Sequence, residues 1–305
     1  MFQARKYITA IVFGAAAFCS FVSTDAAESI VWASEYTFGP FEIYADFDVE
    51  QIRSTMEELY QQDMELSRLF HFGESEKRIQ LYILSDKKKY YDFVLSKFPS
   101  APFRRALYAM EPGAPGQVFL FRHEDFAVDL RHECTHALIH LRVDQVPIWL
   151  DEGLAEYFEA PAAERLYKEP YFQQIKRNNS FGFYPDLNKL EKIHTMELFL
   201  EKNYRDSWSW AHFLLSQPDT RECLAQYLRQ CQSVTIPEGK KFASFPSFKG
   251  LLEQTRPQLK ADYRAYWDRQ TKPAGSDSGA AGAETSGDGK TSKRPSWNPL
   301  KLFGL

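Results

Sequence analysis

The stretch "RHECTHALIH", residues 131–140, places two histidines and a glutamate close together in a chain of 305 residues with only 7 histidines. Residues four apart on an α-helix lie on the same face, so His132 and His136 can point at one metal ion. Glu133 can reach a water on that metal without ligating it, which is the geometry of a general base. The stretch therefore predicts a metal-binding helix. So short a pattern also arises by chance, and a third ligand is needed to decide.

That third ligand is predicted on the helix that follows Pro147. The stretch "WLDEGLAEYFE" (149–159) reads as a helix, and the turn at Pro147 allows it to fold back beside the first helix. Glu152 would complete a shell of two histidines and one carboxylate, with a fourth position open for water. This is the shell of a catalytic zinc site, so zinc is the predicted cofactor. His140 is not predicted as a ligand, because it rises about 6 Å beyond His136.

Composition limits the class of protein. The chain is 44% hydrophobic and 15% aromatic, which is enough to bury a sizeable core. A net charge of −4 gives no basic excess, so we expect no nucleic-acid partner. Cys134, Cys223 and Cys231 follow the N-terminal segment, and the last two are about 12 Å apart if they share a helix. That separation is too large for a disulfide, so no disulfide framework is expected.

Residues 1–27 have the pattern of a secretory signal peptide. Two basic residues precede an apolar run from Ile8 to Val22, and Ala26 and Ala27 supply the small residues of a cleavage site. The run is shorter than the roughly 20 apolar residues that span a bilayer. We therefore expect an exported protein, periplasmic or extracellular, with no stable membrane span after cleavage. An uncleaved anchor is the alternative.

The remaining sequence predicts an α+β fold. Residues 28–160 form an α/β part that contains the metal-binding helices, and residues 161–271 form a mostly helical subdomain. Residues 272–296 are rich in Gly, Ser and Ala and too poor in apolar side chains to fold. The tail 297–305, "WNPLKLFGL", is dense in apolar residues and predicts a docking motif for a protein partner, with a disordered end as the alternative. Strands are expected at 41–47, 78–84 and 117–122, and helices at 49–70, 86–97, 127–141, 187–202, 204–216, 220–232 and 247–270.

The sequence "HECTH" with a helical glutamate downstream, Glu152, resembles the gluzincin metallopeptidases, the clan of thermolysin and aminopeptidase N. Within it the chain is most similar to poorly characterised exported bacterial peptidases, and the resemblance runs from about residue 35 to 216. It implies a zincin-like fold with a small mixed sheet. It further implies zinc held by His132, His136 and Glu152, with Glu133 as the base that activates water for hydrolysis of peptide bonds in a peptide or protein substrate.

The resemblance implies further roles. Glu156 matches a carboxylate that orients the first histidine. "NYRDSW" (203–208) is similar to an aminopeptidase segment whose tyrosine stabilises the oxyanion, which points to Tyr204, with His212 as the second choice. The strand at 117–122 corresponds to the edge that gluzincins offer to an extended substrate. The stretch "AMEPGAPG" (109–116) only partly matches the segment that captures a free amino terminus, so an endopeptidase is favoured.

Two other functions use the same residues. The first is a zinc hydrolase that cuts another amide, for example in cell-wall peptide. The second is a non-catalytic zincin-fold binding module. Glu133 argues against the second, because metal binding alone does not require a base.

Overall fold

The computed structural model describes residues 11–12 and 30–271, apart from residues 102, 112–113, 170 and 238–242. Residues up to Gln270 belong to one compact unit, and a second unit begins at Thr271. The predicted linker 272–296 and tail 297–305 lie outside the described residues. So does the predicted signal peptide, apart from Ile11–Val12. The fold of the first unit is α+β, as the sequence predicts.

A mixed β-sheet lies at the centre of this unit. The central strands β3, β4 and β6 run parallel, β2 pairs antiparallel with β3, and β5 pairs antiparallel with β6. The two-residue strand β1 pairs with the end of β5. The strands are β1 (Ile11–Val12), β2 (Ser34–Phe38), β3 (Phe41–Ala45), β4 (Ile79–Leu84), β5 (Ala106–Met110) and β6 (Gly116–Phe121), in the order β1-β5-β6-β4-β3-β2.

The order of the strands corrects one expectation. The strand predicted at 117–122 is β6, and it lies between β5 and β4 rather than at an edge. Its backbone groups are therefore paired on both sides. The strand beyond it, β5, was not predicted, because "ALYAM" shows no alternation: its first four residues are all buried.

Helices cover both faces of the sheet. On one face α2 packs on Phe119 and Phe121 of β6, while Val118 and Leu120 of the same strand face the larger core formed with the other helices. This alternation is the two-residue period of a strand buried on both faces. The helices are α1 (Arg53–Phe70), α2 (Lys87–Lys97), α3 (Phe126–His140), α4 (Ile148–Phe158), α5 (Tyr171–Ser180), α6 (Leu187–Glu191), α7 (Glu201–Ser216), α8 (Pro218–Cys231), α9 (Phe248–Thr255) and α10 (Leu259–Thr271).

Helix α4 lies between α3 and α7, and a glycine permits the second contact. A Cβ atom added to Gly153 would lie 2.7 Å from the backbone oxygen of Ser207 on α7, closer than packed atoms approach. On the other side, α3 is fixed to α1, where the amide of Gln62 donates to Thr135 Oγ1 at 2.5 Å. The two helices that carry the predicted ligands are therefore held from both sides.

Two further sequence expectations concern cysteines and membranes. Cys134, Cys223 and Cys231 are buried free thiols in the structure. Within the described residues, no helix has both the length and the apolar character needed to span a membrane.

Candidate metal centre

Three donor atoms converge where α3 and α4 pack together. His132 Nε2 lies 3.3 Å from His136 Nε2, and Glu152 Oε2 lies 3.7 Å from the first and 3.9 Å from the second. Donors around a tetrahedral zinc ion, each about 2.0–2.1 Å from the metal, are roughly 3.3 Å apart. The spacing and the two-histidine, one-carboxylate donor set therefore fit one zinc ion with small adjustments. These are the three residues that the sequence predicts as ligands.

Each histidine is held at its other ring nitrogen by a carboxylate. His132 Nδ1 lies 2.8 Å from Glu159 Oε2, and His136 Nδ1 lies 3.0 Å from Asp151 Oδ2. A carboxylate at one nitrogen fixes the tautomer and aims the other nitrogen at a metal. Asp151 Oδ2 also lies 3.3 Å from His140 Nε2, so His140 stands behind His136, on the far side of this carboxylate.

The expected role of Glu156 belongs to a different residue. Glu159, the residue that caps the C-terminus of α4, contacts His132, whereas the carboxylate of Glu156 pairs with the ammonium group of Lys168. Glu156 is one helical turn after Glu152, but the direction of its side chain is set by Lys168. The orienting carboxylate comes instead from Glu159, seven residues after Glu152.

Burial and charge shift the acid–base properties of this cluster. His132, His136, Glu133 and Glu152 are between 0% and 4% exposed. Burial alone would lower the pKa of His132, but the carboxylate of Glu159, with Glu133 and Glu156 further away, raises it to about 10. Since a metal takes a histidine in its neutral form, metal binding at this point would release a proton.

Glu133 follows His132 on α3, is buried, and contacts strand β5 of the sheet. Its Oε2 accepts a hydrogen bond of 2.8 Å from the backbone N–H of Tyr108 on β5. Burial raises the pKa of the Glu133 carboxyl to about 7, although His132 and the Tyr108 N–H act in the opposite direction. The carboxyl group can therefore take up or release a proton near neutral pH.

The two predicted oxyanion donors are both buried on α7. The ring of Tyr204 packs against Phe199 at a centroid distance of 4.8 Å. His212 Nδ1 lies 2.6 Å from the hydroxyl of Tyr266, and aromatic rings surround the imidazole. Burial lowers the pKa of His212 to about 4, as expected for a neutral histidine packed in a core. The oxyanion role stays a prediction for Tyr204, and these contacts favour a packing role for His212.

A cavity of about 510 Å³ lies beyond His140, at the C-terminal end of β5. Tyr108 and Met110 of β5 and His140 of α3 line it, together with Glu111 and Asp144. The ring of Tyr108 lies parallel to the ring of His136 at 6.3 Å and to that of His140 at 5.8 Å. The cavity is thus separated from the donor atoms by one layer of side chains.

Three residues of this centre were not predicted from the sequence: Asp151, Glu159 and Lys168. Both acids belong to the quoted stretch "WLDEGLAEYFE". Asp151 directly precedes the predicted ligand Glu152, and an acid at that position could have indicated a role at the metal site. The role of Lys168 could not be predicted in this way, because this residue lies in the connection between α4 and α5 and reaches the centre from there.

The comparisons with known proteins assign no activity. Residues 127–237 match a family model described as "Protein of unknown function (DUF1570)", a range that contains all the donor residues. No curated protein matches the chain.

Proposed function

We propose that this protein is an exported zinc metallopeptidase that hydrolyses peptide bonds with Glu133 as general base. The observation that carries the proposal is the convergence of His132 Nε2, His136 Nε2 and Glu152 Oε2 within 3.3–3.9 Å of one another, with Glu133 buried next to His132 in the sequence of α3. Export is inferred from the sequence pattern of residues 1–27. The resemblance to gluzincins adds support from sequence.

The chemistry divides between the metal and the chain. Zinc, when bound, supplies a Lewis acid that lowers the pKa of water and polarises a carbonyl group. Glu133 takes the proton of the attacking water and passes it to the leaving amine. Burial raises the pKa of the Glu133 carboxyl, which makes its carboxylate a stronger base for the first of these transfers. Asp151 and Glu159 keep the two imidazoles aimed at a single point.

The substrate is proposed to lie along β5. Within the described residues, the outer side of this strand pairs only with the two-residue strand β1, and its Tyr108 N–H reaches Glu133. An extended peptide added there would bring its backbone beside the base. Ile11–Val12 pairs with the end of β5 and belongs to the segment that signal cleavage would remove, so cleavage would open this edge. The cavity beyond His140 would then receive a substrate side chain.

The test is metal analysis combined with hydrolysis of a diverse peptide library by the mature chain. Glu133→Gln should keep zinc bound and lower turnover by at least about 10²-fold, since only proton transfer is lost. Glu124→Gln, an exposed substitution just before α3, is the matched control and should retain turnover. Equal turnover in Glu133→Gln and wild type would contradict the mechanism. Bound zinc in wild type without cleavage of any peptide would contradict the activity.

A further inference from the structure

Lys168 is a buried lysine whose ammonium group lies next to three acceptor oxygens near the candidate metal centre. Its Nζ contacts the carboxylate of Glu156, lies 2.9 Å from the backbone oxygen of Glu156, and lies 3.1 Å from Glu159 Oε1. The ring of Tyr171 is 4.6 Å away and covers the ammonium. The charge is thus shielded from water and matched by two carboxylates.

Glu159 is fixed at three points, and Lys168 supplies one of them. The backbone oxygen of Glu159 accepts a hydrogen bond of 2.6 Å from Arg131 Nε, Oε2 faces His132 Nδ1, and Oε1 faces Lys168. Without the ammonium, the carboxylate of Glu159 could rotate about its last bond. This rotation would weaken its hold on His132, because Oε2 would no longer be kept in one direction towards the imidazole.

Lys168 also occupies a second group of donors. Single atoms of His132, Glu156 and Glu159 lie within 4.8 Å of one another, close enough to hold a cation. The ammonium group already contacts both carboxylates of this group, where it takes the place of a cation. One metal ion per chain is therefore expected, at His132, His136 and Glu152.

We propose that Lys168 is a positioning residue for the metal ligand His132 and that it acts through Glu159. The proposal rests on the zinc site proposed above and goes beyond it by naming what aims the first histidine. Lys168 itself touches neither the metal position nor the substrate.

The test measures zinc affinity by competition with a chromogenic chelator, together with zinc stoichiometry and the ligand-field spectrum of the cobalt(II)-substituted chain. Lys168→Met removes the charge and keeps most of the side-chain volume. It should weaken zinc binding by about 10- to 100-fold and alter the cobalt spectrum. Lys168→Arg should recover part of the affinity. If the Met variant does not fold, Lys168→Gln retains a donor to the Glu156 carbonyl and replaces it.

Two controls separate positioning from general destabilisation. Arg142→Met breaks a different buried ion pair, Arg142 with Asp63 at 2.8 Å, and should lower stability without changing zinc affinity. In a chain that already carries Glu159→Gln, Lys168→Met should cause little further loss of zinc affinity, because Lys168 acts on His132 only through Glu159.

Two results would overturn the inference while the zinc site stands: wild-type affinity in Lys168→Met, or fully additive losses in the double variant. A wild-type chain that binds no zinc would instead overturn the proposed function, and this inference with it.

Discussion

At the candidate metal centre, helical periodicity is enough to predict some of the residues that come together. His132, His136 and Glu152 are brought together as the spacing predicts, because four residues on α3 keep both imidazoles on one face. Glu156 shows the limit. Its position on α4 is predictable, but its partner Lys168 comes from a later segment. The residue that contacts His132 is Glu159, at the end of α4. Side-chain partners between distant segments cannot be inferred from spacing along one helix.

His212 gives a prediction about stability and pH. Its folded-state pKa of about 4 is below the ordinary value of 6.5, so the unfolded chain binds more protons between these pH values. The stabilising effect of a neutral His212 is fully present above about pH 6.5 and is lost as pH falls towards 4. In His212→Asn, whose amide oxygen can still accept from Tyr266, this loss is absent. Urea unfolding should show the stability gap between wild type and variant narrowing by roughly 2–3 kcal/mol from pH 7 to pH 4. A constant gap would show that His212 is not buried as a neutral ring.

Among the elements, α4 decides the geometry of the centre because it contacts α3 on one side and α7 on the other. The contact with α7 was not predictable, because the sequence shows only that Gly153 is a residue of low helix propensity. In the structure it is the point at which the backbone of Ser207 approaches α4. The α3–α4 pair was predictable because the Pro147 turn and the ligand spacing both required it.

Gly153→Ala is expected to destabilise the protein even though alanine favours helices. The added Cβ would lie 2.7 Å from Ser207 O, so α4 or α7 must shift. We expect a net loss of about 1–3 kcal/mol in the free energy of unfolding, and weaker zinc binding because Glu152 moves with its neighbour. Thermal unfolding and the chelator competition measure the two effects.

Gly250→Ala in α9 is the matched control for this substitution. There the nearest side-chain atoms, both of Ser247, are 3.6 Å from the added Cβ, which is ordinary contact. The gain in helix propensity, up to about 1 kcal/mol, should then appear as a small stabilisation. If Gly153→Ala behaves like Gly250→Ala, the α4–α7 approach is looser than described.

For the whole molecule, the sequence was a good guide to class and a poor one to strand order. The α+β class and three strands follow from periodic hydrophobicity, which is a local property. Strand β5 pairs with β6 on the side away from β4, but its sequence shows no alternation of apolar and polar residues. It was therefore not predicted, and β6 was expected at the edge of the sheet. The order of strands is set by pairing between distant segments, and a single sequence contains little information about which segments pair.

The extent of the folded unit can be tested by truncation. Removing residues 272–305 should leave the melting temperature and zinc content nearly unchanged, because the first compact unit ends at Gln270. Removing residues 259–305 also deletes α10, whose Tyr263, Tyr266 and Trp267 are at most 3% exposed and pack on α7. That longer truncation should lower the melting temperature by many degrees or prevent folding. A large effect of the shorter truncation would show that the tail belongs to the folded unit.

The burial of the donor residues has a kinetic consequence. With His132, His136 and Glu152 at most 4% exposed, the three ligands of an ion held there are shielded from bulk solvent. The ion would leave only when α3 and α4 separate locally, so its residence time would follow the frequency of that opening rather than the concentration of a competing chelator. The outward contact of Glu133 with Tyr108 must break when a peptide enters along β5. Substrate entry would then depend on a local movement of α3 relative to β5, and the frequency of that movement would set an upper limit on turnover.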